Sequence, residues 1–114
     1  MPYISTKTNI ELAKDKRDAL AAKYGEIISI VPGKTERWLM LSFDGGAEMY
    51  FGGRGDEPMA YIELSLFGGT SDAVYDKLTA AVCDAVSEET GIAPSNIYTV
   101  SYTHLRAHET DQYL

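Results

Sequence analysis

Apolar and polar residues begin to alternate at the second position. Pro2-Tyr3-Ile4-Ser5-Thr6 reads as a strand opening the chain. The period then lengthens. Leu20, Tyr24, Ile27, Ile28 and Val31 fall at offsets 0, 4, 7, 8 and 11, one face of a helix placed over residues 9–31. Asn9 suits its N-cap, and Pro32-Gly33 ends it. Gly25 weakens the last turns by about 1 kcal/mol against alanine. Residues 35–43, with Trp38 and Leu39-Met40-Leu41, predict a second strand. Asp44-Gly45-Gly46 marks a turn, residues 48–51 a short strand, and residues 52–58 a glycine-rich loop.

The pattern then repeats. Residues 59–67 form an apolar strand, Gly68-Gly69 breaks it, and Thr70 or Ser71 caps a second helix. Val74, Leu78, Ala81, Val82 and Ala85 carry the same 0, 4, 7, 8, 11 stripe, Gly91 closes the helix, and residues 96–100 give the next strand. Tyr3-Ile4 returns as Tyr61-Ile62, Leu20 as Leu78 and Gly33 as Gly91, all 58 residues on. The chain is a duplicated β-α-β unit. Two such units make an α+β domain, a four-stranded sheet with two helices on one face. The other face and the edges would then be bare, which favours a homo-oligomer.

Composition narrows the function classes. A chain of 114 residues suits one domain. The net charge of −7 argues against binding a nucleic-acid backbone, which needs cations to displace counterions. No apolar run is long enough for a membrane helix, and no signal-peptide pattern opens the chain. Cys83 is the only cysteine, so no internal disulfide or thiolate zinc cluster can form. The expected compartment is the cytoplasm, with export lacking a signal peptide as the alternative. No cofactor or metal is called for.

One chemistry needs no histidine. Aminopeptidases remove an initiator methionine ahead of a small residue, and proline qualifies. Loss of Met1 would leave Pro2 as a secondary amine fixed at the start of a strand. Burial disfavours the charged form of an amine, lowers its pKa, and makes it a base at neutral pH.

Several strings together resemble the macrophage migration inhibitory factor branch of the tautomerase superfamily. They are Met1-Pro2, Gly33-Lys34 leading to Trp38, Phe51-Gly52-Gly53 with Glu57-Pro58, the strand ending at Gly68-Gly69, Tyr75 with Lys77-Leu78, and Ile92-Ala93-Pro94 leading to Ile97-Tyr98. The resemblance covers residues 2–99. It implies paired β-α-β units assembled as a homotrimer, and keto–enol tautomerisation of α-keto acids such as phenylpyruvate. Pro2 then matches the general acid/base, and Lys34 the cation that holds the substrate carboxylate. Phe67 matches the residue whose backbone N–H meets the substrate. Trp38 matches a pocket-wall aromatic, and Tyr98 an aromatic lent by the neighbouring subunit. Taken alone, Lys34 reads as a solvated charge, Phe67 and Trp38 as core, and Tyr98 as a strand residue with a wet hydroxyl.

Other readings stay open. The resemblance also covers cytokine members, for which a host receptor is the partner and the pocket a vestige. Related decarboxylases and dehalogenases place extra arginines in the pocket, and Arg37 is the nearest candidate. A purely structural oligomer is the remaining reading. The branch's Cys-x-x-Cys positions are Met59 and Ile62, so thiol–disulfide exchange is not expected. Val100 replaces an asparagine that would bond substrate. Arg54-Gly55-Asp56 resembles an integrin tripeptide, which a glycine-rich loop explains as well.

The C-terminus reads differently. Val100-Ser101-Tyr102-Thr103-His104-Leu105-Arg106-Ala107-His108-Glu109-Thr110 resembles an in-frame translation of a transposase sequencing adapter. The expected domain is therefore 1–99, with 100–114 an artefactual tail in place of the native last strand. His104 and His108, at i and i+4, receive no metal role. Adapter remnants accompany shotgun assemblies and point to a microbial source.

Overall fold

The computed structural model describes residues 1–104. The strands are β1 (Pro2–Thr8), β2 (Met40–Asp44), β3 (Ala60–Phe67) and β4 (Ile97–His104). The helices are α1 (Lys14–Ile27) and α2 (Asp72–Thr90). The sheet order is β2-β1-β3-β4. β1 runs parallel to β2 and antiparallel to β3, and β3 runs parallel to β4. Each half is thus a parallel pair joined through a helix, and the two halves meet along β1 and β3. The repeat holds in detail. α2 begins 58 residues after α1, and the one-turn 3₁₀ segments Glu36–Trp38 and Pro94–Asn96 stand at the same offset. Gly33 and Gly91 share a left-handed backbone, φ +80° and +77°, so each helix connection reverses where only glycine is unstrained.

Alternation decides which face of the sheet is dry. Ile4, Ile62, Leu64 and Leu66 point toward the helices and are buried with Leu20, Tyr24, Ile28, Leu78, Val82, Val86 and Ile92. Thr6 is also fully buried on this face, and its hydroxyl shares a 2.9 Å hydrogen bond with the Tyr24 hydroxyl. That bond satisfies two buried groups at once and ties β1 to α1. The opposite face is mixed and half-covered. Tyr3, Ser5, Tyr61, Glu63 and Ser65 lie on it, and the Tyr3 hydroxyl bonds Ser42 Oγ at 2.7 Å.

Three predicted elements differ, one because a tertiary partner competes and two because a strand partner is missing. α1 starts at Lys14, not Asn9. The Asn9 side chain is engaged elsewhere: it donates to Glu57 O and accepts from Met59 N, both at 2.8 Å, stitching the exit of β1 to the entry of β3. Residues 35–38 form a turn closed by Trp38 N to Thr35 O at 3.2 Å, and β2 begins only where β1 offers a partner, at Met40 opposite Tyr3. Residues 48–51 have no strand beside them in this chain, and only a bridge between Phe51 and Arg54 forms. Ser71 caps α2 as expected, its hydroxyl accepting from Val74 N at 3.3 Å. β4 continues through Val100–His104 alongside β3, so the adapter-like string begins inside a strand. Its remainder, His108 included, lies outside the described residues.

Candidate active site

The first strand puts the chain's beginning inside the structure. Pro2 is buried and pairs with Leu66 on the adjacent central strand. Proline lacks an N–H, so the first position of a strand suits it. The residue is held on both sides, since Tyr3 next to it also pairs with Met40 and Ser65.

Lys34 reaches the same place by another route. Gly33 turns the chain out of the helix connection, and the Lys34 N–H closes that turn on Val31 O at 3.1 Å. The half-buried side chain crosses to β3 and donates from Nζ to Phe67 O at 3.0 Å. Hydrogen bonds from charged donors contribute about 1.5–3 kcal/mol. The ammonium also lies beside the chain's amino terminus. That amine, carried here by Met1, is held below its usual pKa by burial first, then by the Lys34 charge and hydrogen bond. Phe67 meets Lys34 through its carbonyl. Lys34, Phe67 and the Pro2 end of β1 are therefore one cluster.

Trp38 lies two residues before Met40, which pairs with Tyr3, so the register brings it to the same end of the sheet. The residue is 56% exposed. The Arg37 guanidinium sits 5.1 Å from the ring centroid, a cation–π contact. Adjacency in sequence gave no sign of this contact.

Tyr98 is elsewhere. It pairs with Tyr61 on β3, while Pro2 pairs with Leu66, and the strand between those two positions spans about 17 Å. Tyr98 is 53% exposed and packs against Phe51 and Tyr61, with centroids 6.0 and 5.9 Å away. These rings, with Lys7, Tyr50 and Asn96, line an open cleft of about 390 Å³ at the far end of the sheet. The cleft is roomy, but the perturbed amine and its cation are at the other end of the sheet. Period-2 patterning could not single out the Phe51–Tyr61–Tyr98 group, because Phe51 joins it from a loop.

The remaining candidates are accounted for locally. Met59 and Ile62 are buried in the core. Cys83 is half-buried, its Sγ 3.8 Å from Thr99 Oγ1. Arg54 binds Asp56 and Glu57 at 3.1 and 2.8 Å, so the charged ends of the integrin-like tripeptide engage each other. Among the described residues no group of three His, Cys, Asp or Glu side chains could hold a metal, and no helix is long and apolar enough to cross a membrane.

Comparison with known proteins gives this geometry a context. No curated protein matches the chain in sequence. The crystal structure of Leishmania major MIF2 is similar at a TM-score of 0.87 with 27% identity, covering 96% of this chain and 94% of that one. A macrophage migration inhibitory factor of Toxoplasma gondii shares the fold at 0.82 with 23% identity, covering 95% and 96%. The Entamoeba histolytica protein shares it at 0.80 with 18% identity, covering 95% and 91%. The model of the macrophage migration inhibitory factor (MIF) family matches residues 1–112. With Pro2 at the head of a central strand and this fold around it, the chain belongs to the macrophage migration inhibitory factor family of the tautomerase superfamily.

Proposed function

We propose that the protein is a keto–enol tautomerase of α-keto acids such as phenylpyruvate, with the Pro2 amine as general acid/base once Met1 is removed. The observation that carries this reading is the amino terminus itself. The Pro2 position is paired on a central strand, and the Met1 amine just ahead of it, with the Lys34 ammonium beside it, has its pKa lowered by partial burial and that charge. Removal of Met1 would transfer the amine to the buried Pro2 at the same end of β1, and a base poised near neutral pH is the effective one.

In the forward direction the amine takes a proton from the carbon next to the carbonyl. The electron pair moves onto the carbonyl oxygen, and the ammonium returns the proton there. Negative charge grows on oxygens near Lys34. One of its N–H donors is used on Phe67 O, and loss of Met1 would leave the others for a substrate carboxylate. The Phe67 backbone N–H is assigned the substrate contact and Trp38 the pocket wall. Tyr98 is assigned to the site of a neighbouring chain in a homotrimer, which accounts for its distance from Pro2 in its own chain. Residues 100–114 are read as an adapter-derived replacement of the native C-terminus, which resequencing the source gene would check.

The test is phenylpyruvate enol–keto conversion by the purified chain, with intact mass confirming loss of Met1, beside Pro2→Gly. Activity that vanishes in the variant supports the amine as base. A correctly processed trimer without activity sinks the reading and favours a receptor-binding role.

A further inference from the structure

Phe51 reaches Tyr98 from a loop, and that loop is held by side chains the chemistry at Pro2 does not use. Gly52 and Gly53 both have positive φ, +62° and +81°, as the two central residues of a tight I′ turn do. They fold Arg54 back onto Phe51, whose N–H donates to Arg54 O at 2.8 Å while the Arg54 N–H donates to Phe51 O at 3.1 Å. The Arg54 guanidinium then meets Glu57 Oε2 at 2.8 Å. The other oxygen of that carboxylate, Oε1, accepts from Asn96 Nδ2 at 3.1 Å. Asn96 also donates to Pro58 O at 3.2 Å, and it stands two residues ahead of Tyr98, at the entry to β4.

These contacts close a circuit. It runs from Phe51 to Arg54, Glu57, Asn96 and Tyr98, and returns to Phe51 through the edge-to-face rings at 82°. Phe51 is set through Arg54, and Tyr98 through Asn96. The Glu57 carboxylate joins the two sides, while the Asn9 bonds to Glu57 O and Met59 N fix the backbone around it. An ion pair this exposed adds little to stability. Its effect is geometric, because an edge-to-face pair depends on how the two rings are aimed.

We infer that Glu57 is a positioning residue: its carboxylate sets the Phe51–Tyr98 ring pair, and that pair forms the wall against which an aromatic α-keto acid lies in the Pro2 site of a neighbouring chain. This rests on the proposed service of Tyr98 at another chain's Pro2.

The test uses the processed full chain with Glu57→Ala and Glu57→Gln, their oligomeric mass checked by light scattering. The first readout needs no turnover: the NMR cross-peak between the Phe51 and Tyr98 ring protons. It should be lost in Glu57→Ala and weakened in Glu57→Gln, which keeps an acceptor for Asn96 but loses the charge for Arg54. The second is phenylpyruvate tautomerisation. KM should rise about three- to ten-fold in Glu57→Ala, the range one aromatic contact spans, with kcat and the acid limb of the pH–rate profile held because Pro2 and Lys34 stay in place. The third locates the defect. Well below KM, Glu57→Ala co-refolded with Pro2→Gly should exceed the mean of its parents, since some sites then draw an intact ring pair from a Pro2→Gly chain. Co-refolded with Tyr98→Ala it should only equal that mean, because both changes lie on the lending side. A ring cross-peak that survives Glu57→Ala, a KM that stays put once the cross-peak is lost, or a Pro2→Gly mixture no better than its parents overturns the inference. A lost cross-peak with no turnover by the unaltered chain leaves Glu57 setting the rings and removes Pro2 as the base instead.

Discussion

Tyr98 and Pro2 cannot serve one site within one chain. The β3 positions they face, Tyr61 and Leu66, are about 17 Å apart, farther than a tyrosine side chain reaches. If Tyr98 works at a Pro2 site, it works at another chain's. The perturbation is to mix two inactive chains, Pro2→Gly and Tyr98→Ala. In a randomly assembled homotrimer made from equal amounts, a site is intact only when its Pro2 comes from a Tyr98→Ala chain and its Tyr98 from a Pro2→Gly chain. That holds for about one site in four. Co-refolded mixtures should therefore recover about a quarter of the wild-type phenylpyruvate activity. Tyr98→Ala also gives up ring contacts to Phe51 and Tyr61, each contributing about 0.5–1.5 kcal/mol. Domains are commonly stable by about 5–15 kcal/mol, so the variant should still fold, and its oligomeric mass would be checked by light scattering. A mixture no more active than the mean of its parents would refute the reasoning. Tyr98 would then be a packing residue of the far cleft.

Three further outcomes are expected. Tyr24→Phe should cost about 1–3 kcal/mol in urea unfolding, because it orphans the fully buried Thr6 hydroxyl, whereas adding Thr6→Val should restore much of the loss. Burial also pushes the Tyr24 phenol up to about 12 from 10.0. The folded pKa lies above the unfolded one, so this group's contribution of about 2–3 kcal/mol is intact below pH 10 and fades as pH rises toward 12. Tyr24→Phe should flatten that alkaline limb, and an unchanged limb would show that other groups cause it. Lys34→Gln removes the cation that helps hold the amine's pKa down. The acid limb of the pH–rate profile should shift to higher pH, with KM rising, and a limb that stays in place would sever Lys34 from the base.

Much of the fold was legible because it is written twice. Leu20 and Leu78, or Gly33 and Gly91, are weak signals singly, but one offset relates the two helix starts, the 3₁₀ turns at Glu36–Trp38 and Pro94–Asn96, and the left-handed Gly33 and Gly91. Partners distant in sequence were not legible. Asn9 looks like a cap because caps are local, yet its side chain bonds Glu57 and Met59. Residues 35–38 have strand composition but no strand to pair with, so a turn closes instead. The site divides the same way. Pro2 and Lys34 could be named from local strings, whereas the Arg37–Trp38 contact depends on side-chain directions that no spacing encodes.

The repeat also sets an arithmetic on the chemistry. Ala60 holds in the second half the place that Pro2 holds in the first, at the head of a central strand. Its nitrogen is locked in a peptide bond with Met59, so it can never be an amine. Joining two like units in tandem leaves one reactive terminus where separate units would have two. In the second half the equivalent end holds the aromatic cleft around Tyr98 instead. A circular permutant opened at Ala60 would exchange these ends, giving the Ala60 position a free amine and sealing Pro2 into the backbone.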